Sequence, residues 1–220
     1  MPSVPTATDA STNGSTEFPL TRGHKKKART RQVLLDSALE VLAEQGEGFN
    51  IADLAGRAGV SHGTFYNYFA DREQLIDALV PHVVESFAAR AAVEFDDPDP
   101  AVRFATITAR ALAAAVHQPE TVRVALRIDA VQRALVVDGP LSYLRRDLLD
   151  GRASGRFVGP ADDGTLDVVL GALLLAARRV IDGEVAPAYR RSVIARLLQS
   201  LGVPRDDAVA LAKRAVGASR

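Results

Sequence analysis

The sequence predicts an all-α chain made of a small three-helix unit followed by a larger helical part. Three observations carry that expectation. Apolar residues recur at helical spacing in nearly every segment beyond Leu34, no segment alternates as a strand would, and Pro or Gly punctuates the periodic runs. The chain has 220 residues, 47% of them hydrophobic, which suffices for one compact domain or for a small domain and a larger one. It contains no Cys, which excludes disulfides, thiolate metal sites and cysteine nucleophiles. The longest apolar run, Val168 to Ala177, is too short to span a membrane and is followed by Arg178 and Arg179. The first residues lack the apolar core of a signal peptide. A cytoplasmic protein without a membrane partner is expected. The formal net charge is zero, so any charge that serves binding must be local.

Residues 1 to 20 are rich in Ser, Thr and Pro with little to bury, and 1–27 is expected to be a disordered basic tail. Arg22, Lys25, Lys26, Lys27, Arg29 and Arg31 follow one another with no acid among them, a composition suited to lying along phosphates or entering a minor groove. Helix one is expected from about Thr30 to Gln45, with Leu34, Ala38, Val41 and Leu42 as its buried stripe and Gly46 ending it. Ile51, Leu54, Ala55 and Ala58 then recur at i, i+3, i+4 and i+7, and Asn50 stands where a cap belongs. Gly59 supplies the permissive turn, Val60 is expected to plug the core, and Ser61 caps a further helix. In that helix Phe65 and Phe69 can face inward. His62, Gly63, Thr64, Tyr66, Asn67 and Tyr68 are left facing outward. A helix presenting aromatics, an amide and a hydroxyl to water suits a flat, polar partner, and two helices joined by a short Gly turn form the helix-turn-helix that enters the DNA major groove.

Residues 29 to 79 carry the pattern A-G-V-S-x-G-T-F-Y-x-Y-F followed by x-D-R-E-x-L. This stretch resembles the DNA-binding domain of the tetracycline repressor (TetR) family. The resemblance implies a DNA-binding domain over 28–74 and a helical ligand-binding and dimerisation domain over 75–220. It also implies that Arg72 contacts phosphate, as Asn50, Ser61, Tyr66 and Tyr68 are expected to do, with Lys27, Arg29 and Arg31 in the basic arm. Thr64, Asn67 and His62 are expected at base edges, because amides pair with adenine and hydroxyls are permissive. The link Gly46-Glu47-Gly48-Phe49 is one residue tighter than the common family pattern, and Ala52 stands where a basic side chain is frequent. Helix two is therefore expected to contribute less to DNA.

Asp71 to Gln74 forms a capping box that opens helix four, whose Leu75, Leu79, Val83 and Phe87 lie four apart and which Pro81 interrupts. Asp96, Asp97 and Asp99 lack the Gly and bidentate Glu of a calcium loop; Asp99 as cap and Pro100 at the first helical position open helix five instead. Helical periods follow over 101–117, 119–136, 140–154, 163–182, 187–201 and 205–217. Phe104, Ile107, Thr108, Leu112, His117, Val124, Ile128, Tyr143 and Leu144 are candidates to line a cavity for a small apolar or amphipathic effector. The segment Leu166 to Ile181 is apolar nearly all round and needs cover on every face. The resemblance implies a four-helix bundle with a second copy, built from 163–182 and 187–201. Leu166, Leu170, Leu173, Leu174, Ala177, Ile194, Leu197, Leu198 and Leu201 are the expected contacts.

The expected function is a ligand-responsive repressor that binds a near-palindromic duplex operator as a homodimer. The alternative is a DNA-bound regulator or activator without a small ligand. No nucleophile with its base, carboxylate pair or phosphate loop occurs at a recognisable spacing, and His24, His62, His82 and His117 have no metal spacing, so neither catalysis nor a cofactor is expected.

Overall fold

After Gly23 and His24, the run Lys25, Lys26, Lys27, Ala28 and Arg29 consists of good helix formers with no proline, a composition that favours helix. In the computed structural model α1 accordingly runs over Arg22–Gln45, and so begins eight residues before the expected start at Thr30. Arg22 to Lys27 are thus helical and not tail. The structure describes residues 22–91, 97–137, 139–183, 185, 186 and 188–219; the expected disorder of 1–20, Asp96 and the start of the 187–201 segment at Pro187 lie outside them. A 3-10 turn at Gly46–Gly48 follows α1. The remaining helices are α2 (Ile51–Arg57), α3 (His62–Tyr66), α4 (Arg72–Ala91), α5 (Pro100–His117), α6 (Pro119–Arg127), α7 (Asp129–Val137), α8 (Ser142–Ala153), α9 (Asp163–Ile181), α10 (Tyr189–Ser200) and α11 (Arg205–Ala218). No strand occurs among the described residues.

The expected single helix over 119–136 is two helices. Ile128 is fully buried and takes an extended backbone (φ −107°, ψ 107°), which breaks the helical ladder where the side chain enters the core. Elsewhere the local signals act as read. Asn50 Oδ1 accepts from Ala52 N at 2.8 Å, Asp71 Oδ1 from Gln74 N at 2.8 Å, and Asp99 Oδ1 from Ala101 N at 2.8 Å. Gln74 reaches back to Ala70 N at 2.6 Å, one residue before the cap. Pro81 lies inside α4 without ending it.

Two hydrophobic clusters hold the chain. The first joins α1, α2, α3 and α4 through Leu34, Leu42, Leu54, Phe65, Phe69, Leu75, Leu79 and Val83, and continues into Val124, Ile128 and Val131 of α6 and α7. The expected division at 74/75 therefore does not divide the core: α4, α6 and α7 belong to it as much as α1 does. The second cluster packs α5 against α8, α9, α10 and α11. Phe87 of α4 and Leu141, just before α8, pack against both.

Polar ties reinforce this arrangement. Arg57 of α2 forks onto Glu44 of α1, both bonds 2.8 Å, and holds that carboxyl below the usual range. Arg127 of α6 donates to Glu44 O at 2.8 Å. In the second part Arg103 of α5 donates from Nε to Asp147 Oδ1 (2.7 Å) and from Nη2 to Asp150 Oδ2 (2.6 Å), both on α8, and from Nη1 to Asp97 O (2.7 Å).

Candidate nucleic-acid interface and cavity

The turn between α2 and α3 is fixed by its own backbone. Val60 N bonds Ala55 O at 2.9 Å and Gly59 N bonds Gly56 O at 3.1 Å, the paired bonds of a Schellman end. Gly59 sits at φ +66°, a left-handed conformation that only a residue without Cβ takes at little cost. Val60 is half-buried against the core rather than a full plug. Ser61 Oγ then accepts from Thr64 N at 3.1 Å and starts α3.

Helix α3 is anchored by Phe65 and Phe69, which are buried with ring centroids 5.7 Å apart. Its other side stays in water: Ser61, His62, Gly63, Tyr66 and Asn67 are exposed. The His62 and Tyr66 rings meet edge-on at 5.1 Å, forming one aromatic ledge. Two of the expected outward residues differ. Thr64 is half-buried with its hydroxyl 2.7 Å from Ser61 Oγ, so the two hydroxyls occupy each other. Tyr68 is half-buried because it follows the end of the five-residue α3 and turns back toward the core.

The basic residues flank this edge. Lys27, Arg29 and Arg31 are exposed on α1, and the Arg31 guanidinium lies 5.5 Å from the Phe69 ring centroid. Arg72 opens α4 with its guanidinium 5.4 Å from the Phe49 centroid. Each arginine is braced on a buried ring by a cation–π contact while staying in solvent. Phe49 is thus a core residue that seats Arg72. The Asn50 side-chain oxygen is taken by its cap bond. Ala52 on α2 is exposed and has no polar atom in its side chain.

Beneath Phe87, between α5, α6, α8 and α9, lies a cavity of about 370 Å³. Of the expected lining residues, Ile107, His117 and Tyr143 do border it. Phe104, Thr108, Val124 and Ile128 do not: all four are fully buried in the cores, and Thr108 Oγ1 donates to Phe104 O at 2.8 Å. One step of helical register separates the two stripes of α5, so Ile107, Arg110, Ala114 and His117 face the cavity while Phe104, Thr108 and Leu112 face the core. Arg110, Ala114 and Gln118 were not foreseen; alanines in register on an amphipathic helix were the available signal for open space. A larger cleft of about 710 Å³ lies between α1, α4 and α6. Asp36, Glu40, Glu44, His82, Glu120, Arg123 and Arg127 border it; His82 Nε2 lies 3.8 Å from Asp36 Oδ1, and Glu40 and Glu44 are engaged by Arg57, which is not part of its wall.

The expected dimer residues need a larger correction. Leu166, Leu170, Leu173, Ala177, Ile194, Leu197, Leu198 and Leu201 are all buried within the protomer's second core, and Leu174 is half-buried beside the cavity. Helix α9 instead exposes Val168 (65%), Gly171 and Leu175 (59%) at i, i+3 and i+7. The signal in the sequence was the charge at its two ends: Asp163, Asp167, Arg178 and Arg179 are exposed on the same side.

Residues 34–79 match the family model described as bacterial regulatory proteins, tetR family. The N-terminal part of the chain is therefore a TetR-type helix-turn-helix segment. Its TetR-type segment is 44% identical over 71 residues to the HTH-type transcriptional regulator LuxR of Vibrio harveyi, covering 29% of this chain and 35% of LuxR. It is 38% identical over 72 residues to the HTH-type transcriptional repressor LfrR of Mycolicibacterium smegmatis, covering 33% of this chain and 36% of LfrR. In both cases the chain spans about a third of the relative's length. Over most of the chain it resembles the crystal structure of RolR in complex with resorcinol, with a TM-score of 0.61 at 28% identity, covering 86% of this chain and 96% of RolR. A γ-butyrolactone receptor described as ArpA-like shares the fold, with a TM-score of 0.65 at 20% identity over 89% of this chain and all of that one. TetR proteins form a family of regulators rather than enzymes. Among the described residues no helix is long and apolar enough to cross a membrane.

Proposed function

We propose that this chain is a ligand-responsive repressor that binds a near-palindromic duplex operator as a homodimer and is released by a small molecule. The observation that carries this is the uncovered polar edge of α3, with Tyr66 and Asn67 outward and Phe65 and Phe69 as anchors. Two copies of α3 would enter successive major grooves about 34–36 Å apart. Exposed Lys27, Arg29, Arg31 and Arg72 would hold phosphates on either side. The cavity supports the ligand half of the proposal. Phe87 borders it and belongs to α4, which also supplies Leu75, Leu79 and Val83 to the core behind α3. A ligand that fits only one position of Phe87 shifts the balance between two separations of the reading helices. RolR, whose crystal structure holds resorcinol, provides a precedent for a small hydroxylated ring in this fold.

The experiment is selection of a randomised duplex pool on the purified chain, followed by measurement of the stoichiometry on the selected sequence. The expected result is an inverted repeat holding an even number of chains. A chain that enriches no duplex at low salt would overturn the proposal.

The second copy is proposed to cover Val168, Gly171 and Leu175 of α9. Leu175 is the largest uncovered apolar side chain on that helix, and one is lost per protomer. Leu175→Ser should therefore weaken self-association by about 2 kcal/mol, roughly thirtyfold. Analytical ultracentrifugation across a dilution series reads this directly; an unchanged dimer constant would place the interface elsewhere.

A further inference from the structure

We infer that α9 lies antiparallel to α9 of a second copy, with Asp167 of each chain paired to the partner's Arg178 and Arg179. This pairing sets the orientation of the dimer and its choice of partner. The inference deepens the proposed homodimer and rests on it. Asp167, Val168, Gly171, Leu175, Arg178 and Arg179 recur at helical spacing along the outward side of α9, while its other side is buried in the second core. The charges at the two ends of this stripe have opposite signs. Asp163, at its start, is already taken by Arg145 at 2.7 Å. Asp167, Arg178 and Arg179 have no ion pair among the described residues. The helix dipole favours Asp163 in the first turn and Arg178 and Arg179 in the last. Its effect fades within one turn, which leaves Asp167 without a local role.

Asp167 and Arg178 stand about three turns apart, roughly 16 Å along the axis, and so fall on one line of the helix. A two-fold axis that sets Asp167 opposite the partner's Arg178 crosses α9 midway, between Ala172 and Leu173. One that sets Val168 (65% exposed) opposite the partner's Leu175 (59% exposed) crosses between Gly171 and Ala172. The two crossings differ by one residue, about 1.5 Å, a gap that an arginine side chain spans. One axis therefore serves the apolar and the charged contacts together, and symmetry makes each contact twice. Gly171 stands at that axis, exposed, with no neighbouring segment within 4 Å of where a Cβ would be, so two helices can approach closely there. A parallel arrangement would set Asp167 against Asp167 and Arg178 against Arg178, like charges that oppose association. Helix α10 offers no such match to itself, because its charges, Arg190, Arg191 and Arg196, are all positive.

Charge exchange on the full chain tests this. Analytical ultracentrifugation gives the dimer constants, and native mass spectrometry of differently tagged chains gives the pairing. Asp167→Arg, and separately Arg178→Asp with Arg179→Asp, should each weaken the homodimer roughly tenfold or more. Mixed together, these two chains should form a heterodimer about as tight as the unmodified homodimer, because each Arg then faces an Asp. Recovery of that pair also reports that both chains are folded. Variants that self-associate as before, or that show no preference for each other, overturn the inference. So does rescue of Asp167→Arg by a chain carrying Arg196→Asp, which would put α10 of the second copy on this stripe, or a chain that stays monomeric. If Leu175→Ser weakens the dimer while charge exchange does nothing, the face stands and the antiparallel pairing falls. A heterodimer formed by chains that hold no duplex would keep the pairing and remove the repressor.

Discussion

Replacing Tyr66 and Asn67 together by alanine should reduce affinity for the selected operator by about a thousandfold while the thermal midpoint moves little. Both side chains are exposed and neither belongs to a hydrophobic core, so stability has little to lose. Binding has much to lose. A base-edge or phosphate contact contributes about 1 kcal/mol or more, and two such contacts in each of two half-sites sum to roughly 4 kcal/mol, near three decades in affinity. The control is Phe65→Ala, which should also abolish binding but through loss of the fold, with a cost of about 3–5 kcal/mol from a fully buried ring. Fluorescence anisotropy for binding, read beside thermal unfolding, separates the two. Survival of tight operator binding in the double variant would remove α3 from the interface.

A stability loss as large as that of Phe65→Ala should come from Arg103→Met. Arg103 joins three acceptors from two segments, and its main partner is fully buried: Asp147 has 0% exposure, and its Oδ2 has no partner among the described residues. Removing the guanidinium leaves a buried carboxylate whose remaining contact among the described residues is the longer one from Arg146 Nη2 at 3.4 Å, at a cost of about 3–5 kcal/mol. The second substitution Asp147→Leu should recover most of that, since it removes the stranded charge along with the partner. The pH dependence distinguishes this from a packing loss. Burial already pushes the Asp147 carboxyl up from its usual value, and Arg103 offsets that only in part. A raised folded-state value means that the native chain keeps a proton the unfolded chain has released. The contribution of Asp147 to stability therefore falls as pH rises from the ordinary carboxylate range through the raised value. Without Arg103 the rise is larger, so the deficit of Arg103→Met should shrink on acidification. Urea unfolding at several pH values tests this, and a deficit independent of pH would contradict it.

What could be read in the sequence was whatever is encoded within a few residues. Asn50, Ser61, Asp71 and Asp99 each cap the helix they precede, because a cap is a bond over two or three positions. Phe65 and Phe69 fall inward because polar neighbours mark the other side of α3. The outward face of α9 is marked only by Asp163, Asp167, Arg178 and Arg179 near its ends; between them Leu166 and Val168 look alike in sequence and differ in what lies across from them. The same limit misplaced Phe104, Thr108, Val124 and Ile128, whose stripe could be assigned to core or cavity only once α6 and α9 were in place. Arg103 with Asp147 and Arg57 with Glu44 are pairs made by tertiary packing, 44 and 13 residues apart, and no local pattern announces them.

Because Val124, Ile128 and Val131 fill the same core as Phe65 and Leu54, the helix-turn-helix unit is not a cassette. Grafting residues 22–74 onto another regulator's body would strip that core of the α4, α6 and α7 side chains that close it. Chimaeras that retarget such a protein must therefore carry the surface of α3 alone, or transplant α6 and α7 with it.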